Sequence, residues 1–172
     1  MQNTDGEWSD ARQGYFAVTL SNYFALTGER EYLERAVAAL RAMFSLFESP
    51  DSPRTAENYA HSAINRLEGV TGLHWGTGSS VVSIHILRKA YGDAFVHVAD
   101  GWGVGIDGCT VSTVVADGKE IGVDLQDNLN SPRTVRVKFA AMELAEYSLS
   151  VNGRESSRYT RNELQEGVEI EL

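Results

Sequence analysis

The sequence of 172 residues contains a single cysteine, Cys109. One thiol cannot form an internal disulfide, and without a cysteine cluster there is no thiolate zinc site. Basic residues are scarce: 15 Lys/Arg stand against 24 Asp/Glu, a formal net charge of -9. That balance argues against a broad electrostatic grip on nucleic acid or on an anionic membrane. No apolar run reaches the roughly 18 to 20 residues of a membrane-spanning helix. The opening residues Met1 to Glu7 are polar and acidic, unlike a signal peptide. The remaining composition, 42% hydrophobic and 23% charged, is ordinary for a soluble globular chain of one domain or two small ones. It excludes a wholly disordered, collagen-like or coiled-coil chain.

The patterning changes near residue 95. From Asp10 to about Tyr91 the period is helical. Phe16, Leu20, Tyr23, Phe24 and Leu26 recur at three- and four-residue steps. Thr27-Gly28 breaks that helix, with Gly28 suited to the left-handed position past a helix end. Tyr32, Leu33, Ala36, Val37, Leu40, Met43, Phe44 and Phe47 then trace a wide apolar stripe on a second helix. Glu31 and Arg35 are spaced i, i+4 in the favourable order. The Ser49 to Pro53 segment closes this helix as a loop. A third helix is expected from Thr55 to about Leu67, ended by Gly69 and Gly72. A turn-rich stretch from Gly72 to Ser80 follows, and a fourth helix is expected from Ser79 or Ser80 to Tyr91.

Beyond residue 95 the period is two. Strands are expected at Phe95 to Val98, Thr110 to Val115, Ile121 to Leu125, Val135 to Phe139, Tyr147 to Val151 and Val168 to Leu172, with turns at Asp117-Gly118, Asn128 to Pro132 and Asn152-Gly153. Hairpin-like spacing with polar alternation predicts an antiparallel, half-solvated sheet. Residues 96–172 carry 13 Asp/Glu against 7 Lys/Arg, so most of the negative charge belongs to this half. The fold class read from the sequence is α+β, with helices over residues 1–94 and strands over 95–172.

The segment Asn22 to Ala36 carries a Thr27-Gly28-Glu29 corner followed by Tyr32-Leu33-Glu34-Arg35-Ala36. It resembles the hairpin corner of the six-hairpin (α/α) toroid superfamily. Asp5 to Gly14 resembles a hairpin-opening loop of such toroids, and Gly72 to Ser80, running into Ser83 to Arg88, resembles the loop before a last inner helix. Tetratricopeptide-type repeats also use a glycine turn between helices, but no repeat of fixed period is present here. The resemblance implies N-terminal hairpins of a partial toroid followed by an antiparallel β-sandwich-like domain, an arrangement common among glycoside hydrolases and polysaccharide lyases. A full toroid needs six hairpins and this stretch supplies two. The resemblance therefore implies the C-terminal part of a longer carbohydrate-active protein, inactive alone, with a missing N-terminal region or a second copy completing it.

The strongest candidate site is His74-Trp75-Gly76-Thr77-Gly78-Ser79. Glycines let backbone approach a ligand closely, Trp75 offers a flat face suited to a sugar ring, and His74 can act as a general acid or base. A tight turn around a buried Trp explains the same residues. The spacing is no P-loop. His61 and Asn65 share a helical face and suit a substrate hydroxyl, or equally a polar helix-packing contact.

Glycoside hydrolysis needs two carboxyl groups across the bond. Asp5, Glu7, Asp10, Glu68 and Asp107 are available, though Asp107-Gly108 also reads as a β-turn. Tyr59 and Arg66 are possible lyase parts beside His74. Trp75 and Trp102 are the candidate sugar-stacking rings. His85 reads as a satisfied, buried or half-buried histidine within an apolar helix, His97 carries little signal, and Cys109 reads as inert packing. No metal-ligand spacing is present, and no cofactor is expected. The alternative to an enzyme fragment is a non-catalytic module that binds glycan or a protein partner.

Overall fold

The computed structural model describes residues 8–9, 13–44, 58–59 and 76–172. The chain divides into two compact units, Met1–Leu87 and Arg88–Leu172. Among the described residues the fold is mixed α+β, with four helices and two four-stranded sheets besides one short strand pair.

In the first unit, β1 (Trp8–Ser9) pairs antiparallel with β2 (Asn58–Tyr59), setting Trp8 opposite Tyr59. This corrects part of the expected third helix, because Asn58 and Tyr59 are extended. Tyr is at home in strands, and neither residue carries enough helix propensity to oppose the pairing. The rest of that expected helix lies outside the described residues.

Helix α1 (Gln13–Thr27) and helix α2 (Arg30–Phe44) form a hairpin. The corner works as its residues dictate. Gly28 sits at φ +73°, where a side chain would be strained, and its N–H closes on Phe24 O at 2.8 Å. The Thr27 hydroxyl donates to Tyr23 O (2.9 Å) and accepts from Glu29 N–H (3.2 Å). Ala17 and Phe24 of α1 and Leu33, Ala36, Val37 and Leu40 of α2 are buried. The Tyr23 and Tyr32 rings meet beside the corner, with centroids 4.8 Å apart. On α2 the expected Glu31–Arg35 ion pair is present, joined by Arg30–Glu34 at 2.7 Å.

Helix α3 (Gly76–Tyr91) begins at Gly76, ahead of the expected start at Ser79 or Ser80. Its two glycines fall in the first turn, where backbone N–H groups have no intrahelical partner and glycine breaks little. Ser83 and Leu87 are buried, whereas His85 is exposed, contrary to the expectation of a buried or half-buried histidine. His85 sits on a different side of α3 from Ser83 and Leu87, which are themselves i, i+4 neighbours.

The second unit is built from β3 (Ala94–His97), β4 (Trp102–Gly105), β5 (Cys109–Asp117), β6 (Glu120–Asp127), β7 (Thr134–Ala140), β8 (Glu146–Val151), β9 (Arg154–Thr160), helix α4 (Arg161–Glu166) and β10 (Val168–Glu171). One sheet has the order β10-β7-β3-β4 and the other β5-β6-β8-β9. Both feed one hydrophobic cluster, which includes Val96, Val135, Val137 and Ile170 from the first and Ile121, Val123, Tyr147 and Leu149 from the second. Burial alternates along β6, β7, β8 and β10, the half-solvated pattern expected.

The expectation of antiparallel pairing throughout is corrected at two places. β3 pairs with β7 in parallel, and so does β6 with β8. Period-two patterning reports which face is buried but not which strand lies alongside. Here the chain leaves the second sheet after β6, runs β7 through the first, and returns as β8. Such a crossover places β8 parallel to β6.

Two strands and a helix of the second unit were not expected. β4 is Trp-Gly-Val-Gly, whose glycines weaken any strand signal. Gly105 is instead required by close approach: a Cβ there would stand 1.9 Å from Cys109 O. β9 is polar and lies at a sheet edge. Helix α4 is short but fully capped. Thr160 N–H donates to Glu163 Oε2 (2.7 Å), and Glu163 N–H donates to Thr160 Oγ1 (3.3 Å). The Thr160 hydroxyl also donates to Glu163 Oε2 (2.7 Å), and this bond, with the one from Thr160 N–H, holds the Glu163 carboxyl below the usual range.

Candidate functional site

His61, Asn65, His74 and Trp75 lie outside the described residues, as do Asp5, Glu7, Asp10, Arg66 and Glu68. Gly76, Thr77, Gly78 and Ser79 are the first turn of α3. Their backbone is helical where a turn-rich loop was expected. Tyr59 is placed in β2, opposite Trp8.

The remaining candidates are in the second unit. Trp102 is 6% exposed and does not present a free face. The His97 ring lies flat against it, 3° from coplanar and 5.3 Å between centroids, and Phe95 tilts against it at 5.8 Å. The expected role of Trp102 in sugar stacking is thereby corrected: its neighbours occupy the surface a sugar would need. His97, by contrast, gained significance only in three dimensions. Its Nδ1 lies 3.2 Å from Asp100 Oδ2 across the turn joining β3 to β4. No motif signals this group, because its parts come from one short hairpin with no unusual spacing. The Asp100 carboxylate lies beside the ring without a hydrogen bond to Nδ1, and the Trp102 face packs flat against it.

Asp100 is also one wall of a cleft of about 630 Å³. Three loops meet there: the β3–β4 turn with Asp100 and Gly101, the β5–β6 turn with Gly118, and the β7–β8 segment with Ala141 and Glu143. Tyr147 forms part of the wall, and its hydroxyl accepts from Leu144 N–H at 2.7 Å. Arg161 fixes the same segment by donating to Leu144 O (2.9 Å) and to Glu143 O. The cleft thus brings two carboxylates, Asp100 and Glu143, to the end of the unit where loops converge. Such a lining can accept hydrogen bonds from hydroxyl groups.

Asp107, a candidate carboxylate, belongs to a different construction. Arg88 Nε lies 2.6 Å from Asp93 Oδ1, and Arg88 Nη1 lies 3.1 Å from Asp107 Oδ2. Asp93 is 5% exposed. Its other carboxylate oxygen accepts Arg136 N–H (2.8 Å), and its carbonyl accepts Ile106 N–H (2.7 Å), Asp107 N–H (3.1 Å) and the Cys109 thiol (3.2 Å). Asp93 Oδ1 has the Arg88 guanidinium beside it but makes no hydrogen bond, while Oδ2 and the carbonyl tie the start of β3 to β7, to β5 and to the β4–β5 segment, so this is a structural knot. Cys109 is fully buried within it, as its expected packing role requires.

A second clamp lies nearby. Burial opposes ionisation of Asp127, but its carboxylate accepts from Leu129 N–H (3.2 Å), Arg133 Nε (3.0 Å) and Ser131 N–H (3.1 Å), and these bonds hold it below the usual range. No group of three or more metal-ligating side chains occurs among the described residues. No helix among them is long and apolar enough to cross a membrane.

Compared with protein-family models, curated proteins and solved structures, the chain matches none.

Proposed function

We propose that this chain is the C-terminal part of a carbohydrate-active α/α-toroid protein, a glycoside hydrolase or polysaccharide lyase, in which the two-sheet unit plays the part of the terminal sandwich. The observation that carries this reading is the contrast between α1 and α2. Helix α1 contains no charged residue. Besides its buried face it shows Tyr15, Phe16, Tyr23 and Leu26 at 45% exposure or more. Helix α2 confines its apolar residues to one face and lines the other with ion pairs. A helix that is apolar on all sides belongs inside a layer, and an amphipathic one belongs outside it. An inner helix joined to an outer helix through a tight glycine corner is the repeating unit of a toroid. On this reading His74 would act in proton transfer, and Trp75, Gly76, Thr77, Gly78, Ser79, His61 and Asn65 would line the sugar site. The cleft bearing Asp100 and Glu143 supports the second reading, a glycan-binding module without catalysis.

The test is to extend the reading frame upstream and express the longer protein. Four further hairpins in frame are expected. Depolymerisation should appear as new reducing ends for a hydrolase, or as unsaturated uronate absorbance for a lyase, and should vanish in His74→Ala with the circular dichroism unchanged. An upstream stop preceded by unrelated sequence would refute the toroid. Glycan-array binding that survives Trp75→Ala but is lost in Asp100→Asn would favour the module.

A further inference from the structure

We infer that the free edge of β10 is a strand-addition site for an extended peptide segment that alternates apolar and basic residues. Leu172 N–H donates to Arg133 O (2.9 Å) and Arg133 N–H donates to Leu172 O (3.3 Å), so this is a hydrogen-bonded pair of the antiparallel ladder. The register continues through Ile170 opposite Val135 and Val168 opposite Val137. Hydrogen-bonded and non-hydrogen-bonded pairs alternate in such a ladder. Glu169 and Glu171 therefore turn their N–H and C=O groups away from β7, toward the open side. β10 is the terminal strand of its sheet, and those four groups have no partner among the described residues.

Space lies beside that edge. A cleft of about 500 Å³ is walled by β10 on one side and by Arg154 and Tyr159 of β9 on the other, with Val151, Ile170 and Leu172 supplying apolar surface. The cleft falls between the terminal strands of the two sheets. An added strand would find a backbone ladder on one flank and apolar contacts beneath, the two elements of recognition by strand addition.

The charges select the occupant. β10 reads Val-Glu-Ile-Glu, with Glu169 and Glu171 exposed between buried Val168 and Ile170. Its existing partner β7 reads Val-Arg-Val-Lys over residues 135–138, and Arg136 stands opposite Glu169 in the register. The Arg136 guanidinium is spent elsewhere, donating to Glu166 O at 2.7 Å. Neither Glu169 nor Glu171 has an ion-pair partner among the described residues. Edge charges normally discourage pairing with another strand. Two of the same sign exclude acidic segments and reward basic ones placed directly across. The strand already bound to β10 shows the pattern that fits its other edge.

The probe is a capped peptide of the β7 sequence, Thr-Val-Arg-Val-Lys-Phe-Ala, titrated into the full chain and followed by residue-resolved amide exchange. Before addition, the Ile170 and Leu172 amides should exchange slowly and those of Glu169 and Glu171 quickly. Addition should slow Glu169 and Glu171 while leaving β7 protected. The double reversal Glu169→Lys with Glu171→Lys should weaken binding about tenfold, and the milder Glu169→Gln with Glu171→Gln should weaken it less. The reversal should also transfer preference to the charge-swapped peptide Thr-Val-Glu-Val-Glu-Phe-Ala. A peptide N-methylated at its Arg and Lys, whose N–H groups would face Glu169 and Glu171, should not bind. Absence of binding, binding without protection at Glu169 and Glu171, or loss of protection in β7 would each overturn the inference, the last because it means strand exchange. Preference of the native chain for the charge-swapped peptide, abolished by Arg154→Ala, would also overturn it and assign the cleft to an anionic ligand.

Discussion

The two units solve the burial problem differently. In Arg88–Leu172 every strand with a strong period-two pattern finds a facing layer, and one cluster takes the inward residues of both sheets. Its charged side chains are drawn into defined work, as in the Asp93 knot and the Asp127 clamp. In Met1–Leu87, helix α2 is equally well resolved into a buried and a solvated side, but α1 is not: Leu26 is 84% exposed and Tyr15 55%. Scattered exposed apolar residues are ordinary, whereas a contiguous set on a helix without charge indicates a surface with a role. The contrast teaches that a helix can be well formed and half-used at once. Its local hydrogen bonds and its corner are complete, while the surface it offers is not yet spent.

The largest effect is expected from damage to the core of the second unit. Leu149, fully buried in β8, should cost about 3 kcal/mol on substitution by Ala. Urea denaturation should show the loss in the sheet signal. An equal loss in the helical signal would mean that the two units unfold together. Next in size is the hairpin corner. Gly28→Ala places a Cβ at φ +73° and should cost about 1 kcal/mol, seen as earlier loss of helical ellipticity on heating. Thr160→Ala removes the α4 cap, which should also cost about 1 kcal/mol, now confined to the sheet unit.

Asp127 tests the clamp by pH. Its folded pKa lies below the ordinary 3.8, so its contribution is present above that value and is lost as pH falls through the lower folded value. Asp127→Asn should therefore lower the urea midpoint at neutral pH and flatten its decline below pH 3.8. An unchanged acid limb would show that the clamp is not what titrates. The smallest effect is expected at Leu26→Glu, which should alter stability by no more than about 0.5 kcal/mol while reducing self-association in light scattering. A large destabilisation there would mean that the α1 surface is already covered.

Much of this architecture was legible, and the failures have physical causes. Six strands were visible: β6, β7, β8 and β10 because each alternates buried and exposed residues along its length, as at Val135, Val137 and Phe139, and β3 and β5 because they are short runs rich in β-branched and apolar residues. The α1–α2 corner was visible because Thr27-Gly28 has few other uses. β4 was hidden by Gly103 and Gly105, whose role is to admit the Val111 side chain and the Cys109 backbone, which a sequence cannot display. β9 was hidden because its residues are nearly all polar, as suits an edge. The parallel pairings were hidden because side-chain alternation is the same for both strand directions. At the site level, Asp107 could be recognised as a turn residue, but its ion pair with Arg88 needs the chain to double back. His97 was passed over because stacking on Trp102 and proximity to Asp100 leave no mark in composition. Trp102 was overvalued because an aromatic ring in a glycine-rich stretch looks available until its neighbours are placed.

The pairing of β3 with β7 carries a further consequence for how the molecule forms. Asp93 and Arg136, which hydrogen-bond in that region, are 43 residues apart in the chain. The α1–α2 corner closes over a few residues. Closure entropy must be met before distant contacts return any stabilisation. The hairpin should thus form early, while the sheets wait for late-synthesised strands. During synthesis β3 and β4 would emerge with their central neighbour still in the ribosome. For that interval the nascent chain would present a helical hairpin beside an unassembled sheet, a state that chaperones are suited to shelter.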